Sequence, residues 1–579
     1  MPDYFRAVAL DFDGTLTTGE RPSSAVLAAL AEARGRGHRL VLVTGRTMAH
    51  LRSGFADVDD WFDAIVAENG AVLHTPAGSQ VLAQPVDPAL ADALARRGVA
   101  VDRGQVLLGC SAAHDHLVLE EVRRLGADCQ LTRNRGALMI VPAGVTKGSG
   151  LDAALNSLGL SSHSAIAIGD AENDHTMLAH CEIGVAVANA VDSLKRRADI
   201  VTNAPDGRGV IEVLHGDLLR GRSAVHPDRW QISLGTYFDA TPATIPASQV
   251  NVLVTGGTQS GKSYLAGLIA EQLIRLAYAV VVIDVEGDHS NLADLPDVVH
   301  LGGHAPVPTT GLLRNLLSHH GTSIVADLSQ LTGDERRNWY TQAPPRLADL
   351  RRDRGLPHWV LVDEAHESLG PATETRNLFA PDRKGHCMIT YHPTELCAEA
   401  RNSIDILVSL QPTTLDAEDP VVVVTTAFSR LAVDDVLAAF SALPVGAGLL
   451  LRASEPGVLR PFTVGPRRTA HERHWHKYAT VDLPVHRRFV FRRSGESTSG
   501  HEAASMRDFY DELAGCEPDV IMHHAGAHDF SRWIRGVFRD DRLASDVEQV
   551  ETELTTAWQE SVETARRRLR EAVEHRYPG

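Results

Sequence analysis

The sequence predicts an α/β chain: two successive domains built on parallel sheets, then a mostly helical region. Three observations predict it. Apolar strand-like runs end in Asp- or Gly-rich turns and alternate with helical stretches, the pattern of parallel sheets with helices on both faces. The pattern restarts at residue 250, where a second series of such strands begins. From 541 to 576 the chain is charged and amphipathic, with an apolar stripe of Leu543, Val547, Val550, Leu554 and Trp558 and acid–base pairs one helical turn apart.

Composition bounds the function classes. The 579 residues suffice for roughly three or four domains. Lys plus Arg is 56 and Asp plus Glu is 74, a net charge of −18. That balance disfavours wholesale coating of nucleic acid, while a local basic channel stays compatible with it. Apolar residues at 44% and charged residues at 22% describe a folded chain. No apolar run approaches the ~20 residues that span a bilayer, and no membrane partner is expected. The opening stretch MPDYFRAVALDFDG lacks the features of a secretory signal, so a cytoplasmic location is expected. Six scattered cysteines form no C-x-x-C pair, against a disulfide framework or structural zinc. The only lysines are 147, 195, 262, 384 and 477. Two of them fall in the strongest motifs, where a compact ammonium is needed rather than a planar guanidinium.

The first domain is expected at 1–222. The strand FRAVAL (5–10) runs into Asp11-Phe-Asp13-Gly. The strand HRLVLVT ends at Thr44-Gly45-Arg46, and SAIAIG ends at Asp170-Ala-Glu-Asn173-Asp174. The C-terminal ends of such strands gather in one crevice, where open α/β sheets bind ligands. Asp11 and Asp170 together form a like-charge pair that calls for a cation. Mg²⁺ suits a few carboxylates with phosphate oxygens and water. The Thr44 hydroxyl, the Lys147 ammonium and the N–H groups of Gly-rich turns suit a phosphoryl oxygen. Asp11 is the candidate nucleophile. Asp13, two residues on, is the candidate acid/base.

These residues carry a specific resemblance. DFDGTL (11–16), VTGR (43–46), TKGSGL (146–151) and GDAENDHTML (169–178) resemble the haloacid dehalogenase superfamily of phosphatases. ENGA (68–71) and GVAVANA (184–190) resemble its Cof-type branch, which inserts a cap between the second and third motifs. The resemblance implies a Rossmann-like parallel sheet and a small α+β cap at about 75–140. It implies Asp11 as nucleophile, Asp13 as acid/base, and Thr44 and Lys147 as phosphate ligands. Gly45 and Asn173 complete the expected phosphate set. It implies Mg²⁺ on Asp11, the Asp13 carbonyl and Asp170, with Asp174 close by, and a phosphorylated small molecule as substrate. On the cap, Asp115, His116, Arg133 and Arg135 are candidates to face the substrate, with a solvated face the preferred reading.

Residues 223–249 read as a linker with leading strands, and 250–475 as the second domain. Strand VNVLVT (250–255) is followed by Gly256-Gly257-Thr258-Gln259-Ser260-Gly261-Lys262-Ser263 and a helical stretch. This is G-x-x-x-x-G-K-[ST] in its strand–loop–helix context. Its backbone wraps phosphates at a helix N-terminus, Lys262 reaches the β/γ-phosphates and Ser263 binds Mg²⁺. ATP is the expected nucleotide. Asp363 ends an apolar strand, as a second Mg²⁺-associated acid should, and Glu364 beside it is placed to polarise a water. The strands at 280–288 and 322–328 lie between the phosphate loop and Asp363, which suggests the RecA-like, additional-strand class.

GGTQSGKS (256–263), IDVEGD (283–288), VLVDEAH (360–366) and the R-K-G-H stretch at 383–386 resemble HerA/FtsK-like ATPases, the HerA central domain in particular. That resemblance implies ATP hydrolysis, a homo-oligomeric ring and duplex DNA as partner. The sequence departs from the pattern in three places. Thr390-Tyr391-His392-Pro393 stands where a polar S/T-Q-R-P sensor is usual. A phosphatase-like domain replaces the HerA barrel. Arg383 and Arg401 are the arginine-finger candidates, with neither assigned.

The third region, 476–579, reads as a connector with an edge strand and then helices. It resembles an uncharacterised helical module with a D-F/Y-S-R-W motif, here Asp529 to Trp533, which implies no activity. Asp529, Arg532 and Trp533 read as a packing corner. His523, His524 and His528 lack an acidic or Cys partner at ligand spacing, against a metal site. The expected function is a Mg²⁺-dependent phosphomonoester hydrolase fused to an ATP-hydrolysing domain. A polynucleotide kinase–phosphatase-type repair enzyme is the second reading, disfavoured by the Asp363–Glu364 pair. A nucleotide-dependent regulatory scaffold is the third.

Overall fold

The computed structural model describes residues 4–577 apart from 135, 304, 308, 318–320, 371–383, 470–482, 484–486, 494–500, 539 and 557–560. Arg135, Arg383, Lys477 and Trp558, singled out above, lie outside the described residues. The chain divides into two compact units, 1–285 with 289–470, and 286–288 with 471–579.

The larger unit carries two main sheets. The first has the strand order 200–201, 183–186, 165–169, 7–11, 39–43, 64–67, 72–75, 78–81. It is parallel up to 64–67, and the last two strands join antiparallel. Ala7–Asp11 is central, with Ala7 opposite Ala165 on one side and Arg39 on the other. All five of its residues are buried, which is why the run is continuously apolar rather than alternating. Helix Ser24–Gly35 starts where the Ser23 side chain accepts from Val26 N–H, satisfying an orphan donor of the first turn.

Between strands 78–81 and 165–169 the chain forms a separate antiparallel sheet, ordered 102–103, 108–111, 137–141, 130–134. Helices Pro88–Arg96 and Asp115–Leu125 pack on it through Leu90, Leu94, Val118, Leu138 and Ile140. This small layer has its own core and stands where a cap is expected. Arg133 and Asp115 pair on its surface, and His116 is 64% exposed.

The second sheet has the order 242–246, 231–237, 460–464, 447–452, 406–410, 251–255, 386–390, 359–362, 280–284, 323–327, 298–302. Strands from 406–410 to 298–302 are parallel, and the other four form an antiparallel extension. Alternate residues feed opposite cores. Val281 and Ile283 point to one face while Val280 and Val282 point to the other, the period of two that a strand imposes. The strand separating the phosphate-loop strand from the Asp363 strand is His386–Thr390. It follows Asp363 in sequence, so the additional strand is a different one from those that chain order suggested.

Buried polar contacts join the two sheets' layers. Glu182 is fully buried. It accepts from Tyr278 Oη–H at 2.8 Å and from Ser248, and His163 Nδ1 lies 2.8 Å away. His163 Nε2 is 2.8 Å from the Leu276 carbonyl. Arg229 pairs with Asp199 at 2.5 Å and also donates to the Cys181 and Glu182 carbonyls. Burial first, then the Glu182 charge, pushes the Tyr278 and Tyr4 hydroxyls well above the usual phenol range.

The smaller unit is mostly helical, with helices 506–515, 518–526, 529–533, 541–556 and 562–576 and a two-stranded pair, 489–490 with 502–503. The charged run expected as one helix is two. Trp533 donates to the Arg487 carbonyl at 2.8 Å and packs on Phe489 and Phe509. Arg532 pairs with Asp529 at 2.7 Å. His524 and His528 do find acids, Asp529 at 2.8 Å and the fully buried Glu551 at 3.3 Å. Glu551 also accepts from the backbone N–H groups of Phe530 and Ser531. It came from a helix too distant in sequence for spacing to reveal. Among the described residues no helix is long and apolar enough to cross a membrane.

Glu182→Ala would strip three donors of their shared acceptor, and unsatisfied buried groups cost about 1–3 kcal/mol each. A lowered denaturation midpoint of the full chain is expected; an unchanged midpoint would show that this network holds nothing together.

Candidate functional site

Two polar clusters form at the C-terminal ends of the parallel strands, one on each sheet. In the first, Asp11 ends its strand, Asp170 follows strand Ala165–Gly169, and Asp174 starts the next helix. Carboxylate oxygens of these three lie within 4.8 Å of one another. Lys147 donates to Asp11 at 2.5 Å and to Asp174 at 2.6 Å. All four side chains are buried. The other Asp174 oxygen accepts from the N–H groups of Asp170 and Ala171, both at 2.9 Å. Thr15 donates to Asp170 at 3.2 Å.

Local sequence explains the placement. Lys147 opens helix Lys147–Ser157, capped by Thr146 and Ser149 reciprocally, which aims its base at the crevice. Gly14 has φ +82°, and a Cβ there would lie 2.4 Å from an Asp170 oxygen. Only glycine allows that turn and that approach. Thr44 is buried at a strand end, and its Oγ accepts from Arg46 N–H at 3.1 Å. Asn173 donates to Asn69 at 3.0 Å, and its amide nitrogen is 3.9 Å from where a Gly45 Cβ would stand. Asp13 is half-exposed, and Arg46 grips its carboxylate through Nε at 3.0 Å and a terminal nitrogen at 2.6 Å.

Charge decides what this cluster can hold. Three buried carboxylates face one ammonium, a deficit that a divalent cation corrects. Burial, then the Asp174 charge, pushes Asp11 well above the usual carboxylate range, with Lys147 opposing. Burial would lower Lys147, but Asp11 and Asp174 outweigh it and hold its ammonium on. The all-oxygen donor set fits Mg²⁺.

In the second cluster, loop 256–261 joins strand Asn251–Thr255 to helix Lys262–Arg275. Gly256 and Gly257 are buried, Thr258 and Gly261 exposed, and Gln259, Ser260 and Ser263 intermediate. Gly261 has φ +100° and Gln259 φ +63°, so the loop curls back over the helix N-terminus. A Cβ on Gly257 would lie 2.5 Å from Thr413 N. Lys262 Nζ donates to the Gly257 carbonyl at 2.9 Å and stands 5.7 Å from the Tyr391 ring centroid. Asp363 and Glu364 are buried where strand Trp359–Val362 ends. Glu364 holds φ +43°, a strained backbone for a side chain with a Cβ. His366 lies 3.5 Å from Glu364 and 3.0 Å from the Thr390 hydroxyl. Thr390, at the sensor position, thus reaches the Glu364 segment through an imidazole.

Sequence reasoning missed several residues near these clusters. Met139, on the cap layer, would touch a Gly45 Cβ at 2.5 Å, so a cap side chain hangs over the first cluster. Glu68 accepts from the N–H groups of Gln105, Val106 and Leu107 and pins the cap chain to the main sheet. Its motif was legible, but its partners come from 37 to 39 residues away. Arg401 lies on the short helix Ala398–Asn402 and is exposed.

Comparison with known proteins follows the same division. Residues 8–99 and 120–214 match the family described as haloacid dehalogenase-like hydrolase, and 237–336 match the helicase HerA central domain. A phosphoglycolate phosphatase of Archaeoglobus fulgidus is 31% identical over 220 residues, covering 36% of this chain and 95% of that protein. One from Methanothermobacter thermautotrophicus is 31% identical over 218 residues, covering 36% and 97%. A solved haloacid dehalogenase-like hydrolase from Bacteroides thetaiotaomicron is 23% identical, with a TM-score of 0.32, covering 36% of this chain and 98% of that one. Through its N-terminal domain the chain belongs to the haloacid dehalogenase-like hydrolases, and the region that follows is similar to the helicase HerA central domain over residues 237–336.

Proposed function

We propose that the chain is a bifunctional hydrolase: a Mg²⁺-dependent phosphomonoesterase at the first cluster and an ATPase at the second. The observation that carries the first activity is the buried Asp11–Lys147–Asp174–Asp170 constellation with Thr44 beside it. Asp11 attacks phosphorus and the P–O ester bond breaks. Asp13 gives its proton to the leaving oxygen, then takes one from the water that releases phosphate from the aspartyl-phosphate. Thr44, Lys147, Gly45 and Asn173 orient the phosphoryl oxygens. Asp11, the Asp13 carbonyl and Asp170, with Asp174 near, would hold Mg²⁺, which would neutralise charge on the phosphoryl group. The substrate is a small phosphomonoester admitted under the cap. The names of the similar phosphatases make phosphoglycolate the first compound to test.

The second activity is supported by the curled loop 256–263 at a helix N-terminus and by buried Asp363 and Glu364. Lys262 and the loop N–H groups hold the phosphates, Ser263 and Asp363 hold Mg²⁺, and Glu364 takes the proton of the attacking water. A kinase would need a base for a substrate hydroxyl instead, which disfavours the kinase–phosphatase reading. The helicase description supports duplex DNA as the partner to test, and a homo-oligomeric ring is the assembly to test beside it. A cytoplasmic location accords with this chemistry.

Asp11→Asn is expected to lower phosphomonoester turnover by at least roughly 10³-fold while ATP hydrolysis persists; a variant that still releases phosphate from a phosphomonoester, with no ATP present, refutes the nucleophile. Lys262→Ala should weaken ATP binding by at least about tenfold and spare the phosphatase, as an ITC titration reads. Glu364→Gln should bind ATP yet turn over roughly 10²-fold or more slowly; undiminished turnover means another group positions the water. In the Asp11→Asn background, ATP hydrolysis should rise on adding long duplex DNA. Indifference to DNA would favour a switch acting on the phosphatase or on a protein partner.

A further inference from the structure

Beside Asp363 lies a buried histidine that the proposed ATPase chemistry does not use. Strands Val280–Asp284 and Trp359–Val362 are parallel neighbours with Ile283 opposite Val362. Asp284 and Asp363 therefore leave the sheet side by side, and Asp363 N–H donates to the Ile283 carbonyl at 3.0 Å. The chain turns after Asp284 and returns at His289, whose backbone N–H donates to the Asp284 carboxylate at 2.8 Å. His289 is 1% exposed, and among the described residues neither ring nitrogen has a hydrogen-bond partner. One ligand atom from each of Asp284, His289 and Asp363 falls within 4.8 Å of the others. A buried imidazole with both nitrogens unanswered carries a desolvation cost that nothing repays and asks for an explanation. Two adjacent buried carboxylates ask for a cation.

We propose that His289, Asp284 and Asp363 form a binding site for a divalent transition-metal ion. One nitrogen and two carboxylate oxygens answer both demands at once. Imidazole suits first-row transition metals, whereas Mg²⁺ prefers an all-oxygen shell. The site thus differs in kind from the Asp11–Asp170–Asp174 cluster, which offers only oxygen. It rests on the ATPase reading only in sharing Asp363, and it gives the second sheet a metal preference that a phosphate loop alone does not impose.

The test uses the full chain without nucleotide, loaded with Mn²⁺ and read by pulsed EPR for ¹⁴N coupling from a directly bound imidazole. That coupling is expected in the unaltered protein and in Lys262→Ala, and is expected to vanish in His289→Gln and His289→Ala. Unchanged phosphomonoester turnover shows that each His289 variant is folded; if one misfolds, the other and Asp284→Asn decide. A spectrum without ¹⁴N coupling, or coupling that survives both His289 substitutions, overturns the site. Since no nucleotide is present, a chain that holds Mn²⁺ through His289 yet hydrolyses no ATP would sink the ATPase reading and leave the metal site standing.

Discussion

A carboxylate taken out of water must be answered by a donor or a cation, and that constraint organises the larger unit. It is met three times with different chemistry. Asp11 and Asp174 share the buried Lys147 ammonium. Glu182 is answered by a phenol, a hydroxyl and an imidazole drawn from both α/β layers. Asp284 and Asp363 stand beside His289. The first leaves a surplus of negative charge, which a dication would balance. The second has its oxygens taken up by hydrogen-bond partners and is closed to water, as a joint should be.

Why the acting clusters lie where they do follows from the sheets. A parallel strand buried on both faces can carry only apolar side chains along its length, so polar chemistry is pushed to its ends. Ala7–Asp11, Ala165–Gly169 and Trp359–Val362 are buried throughout. Each releases its acid at the C-terminal edge, where turns and helix N-termini supply N–H groups. Glycines then set how close the acids come: Gly14 lets Asp170 approach the first turn, and Gly257 lets the phosphate loop lie against Thr413.

Much of this was legible because it is local. The strand ends at Asp11, Thr44, Asp170 and Asp363 and the loop 256–263 are continuous motifs, and each stands at the strand or helix terminus its pattern required. What was illegible depends on partners far apart in the chain. Strand His386–Thr390 inserts between strands that precede it in sequence, and only pairing reveals that. Val298–Gly302 is half-buried at a sheet edge, so it lacks the apolar run that marks its neighbours. Met139 over Gly45, and Glu551 beneath His528, couple segments 94 and 23 residues apart (139 minus 45; 551 minus 528). His289 read as one histidine among 28, because burial and an unanswered ring are properties of the fold.

The joint at Glu182 bears on how the two proposed activities would share one chain. Its donors come from the start of the second sheet's elements: Ser248 precedes strand Asn251–Thr255, and Tyr278 precedes Val280–Asp284. Glu182 itself precedes Ile183–Ala186, two strands from Asp11. All three strands thus begin at the joint and end, about five residues or ~17 Å on, toward the clusters. A parallel strand with a full ladder on both sides is stiff along its length. The shared carboxylate closes the base of both sheets, where a lost contact would strand buried donors out of reach of solvent. The two sheets meet at the strand ends opposite the two polar clusters, which leaves both crevices clear of the joint.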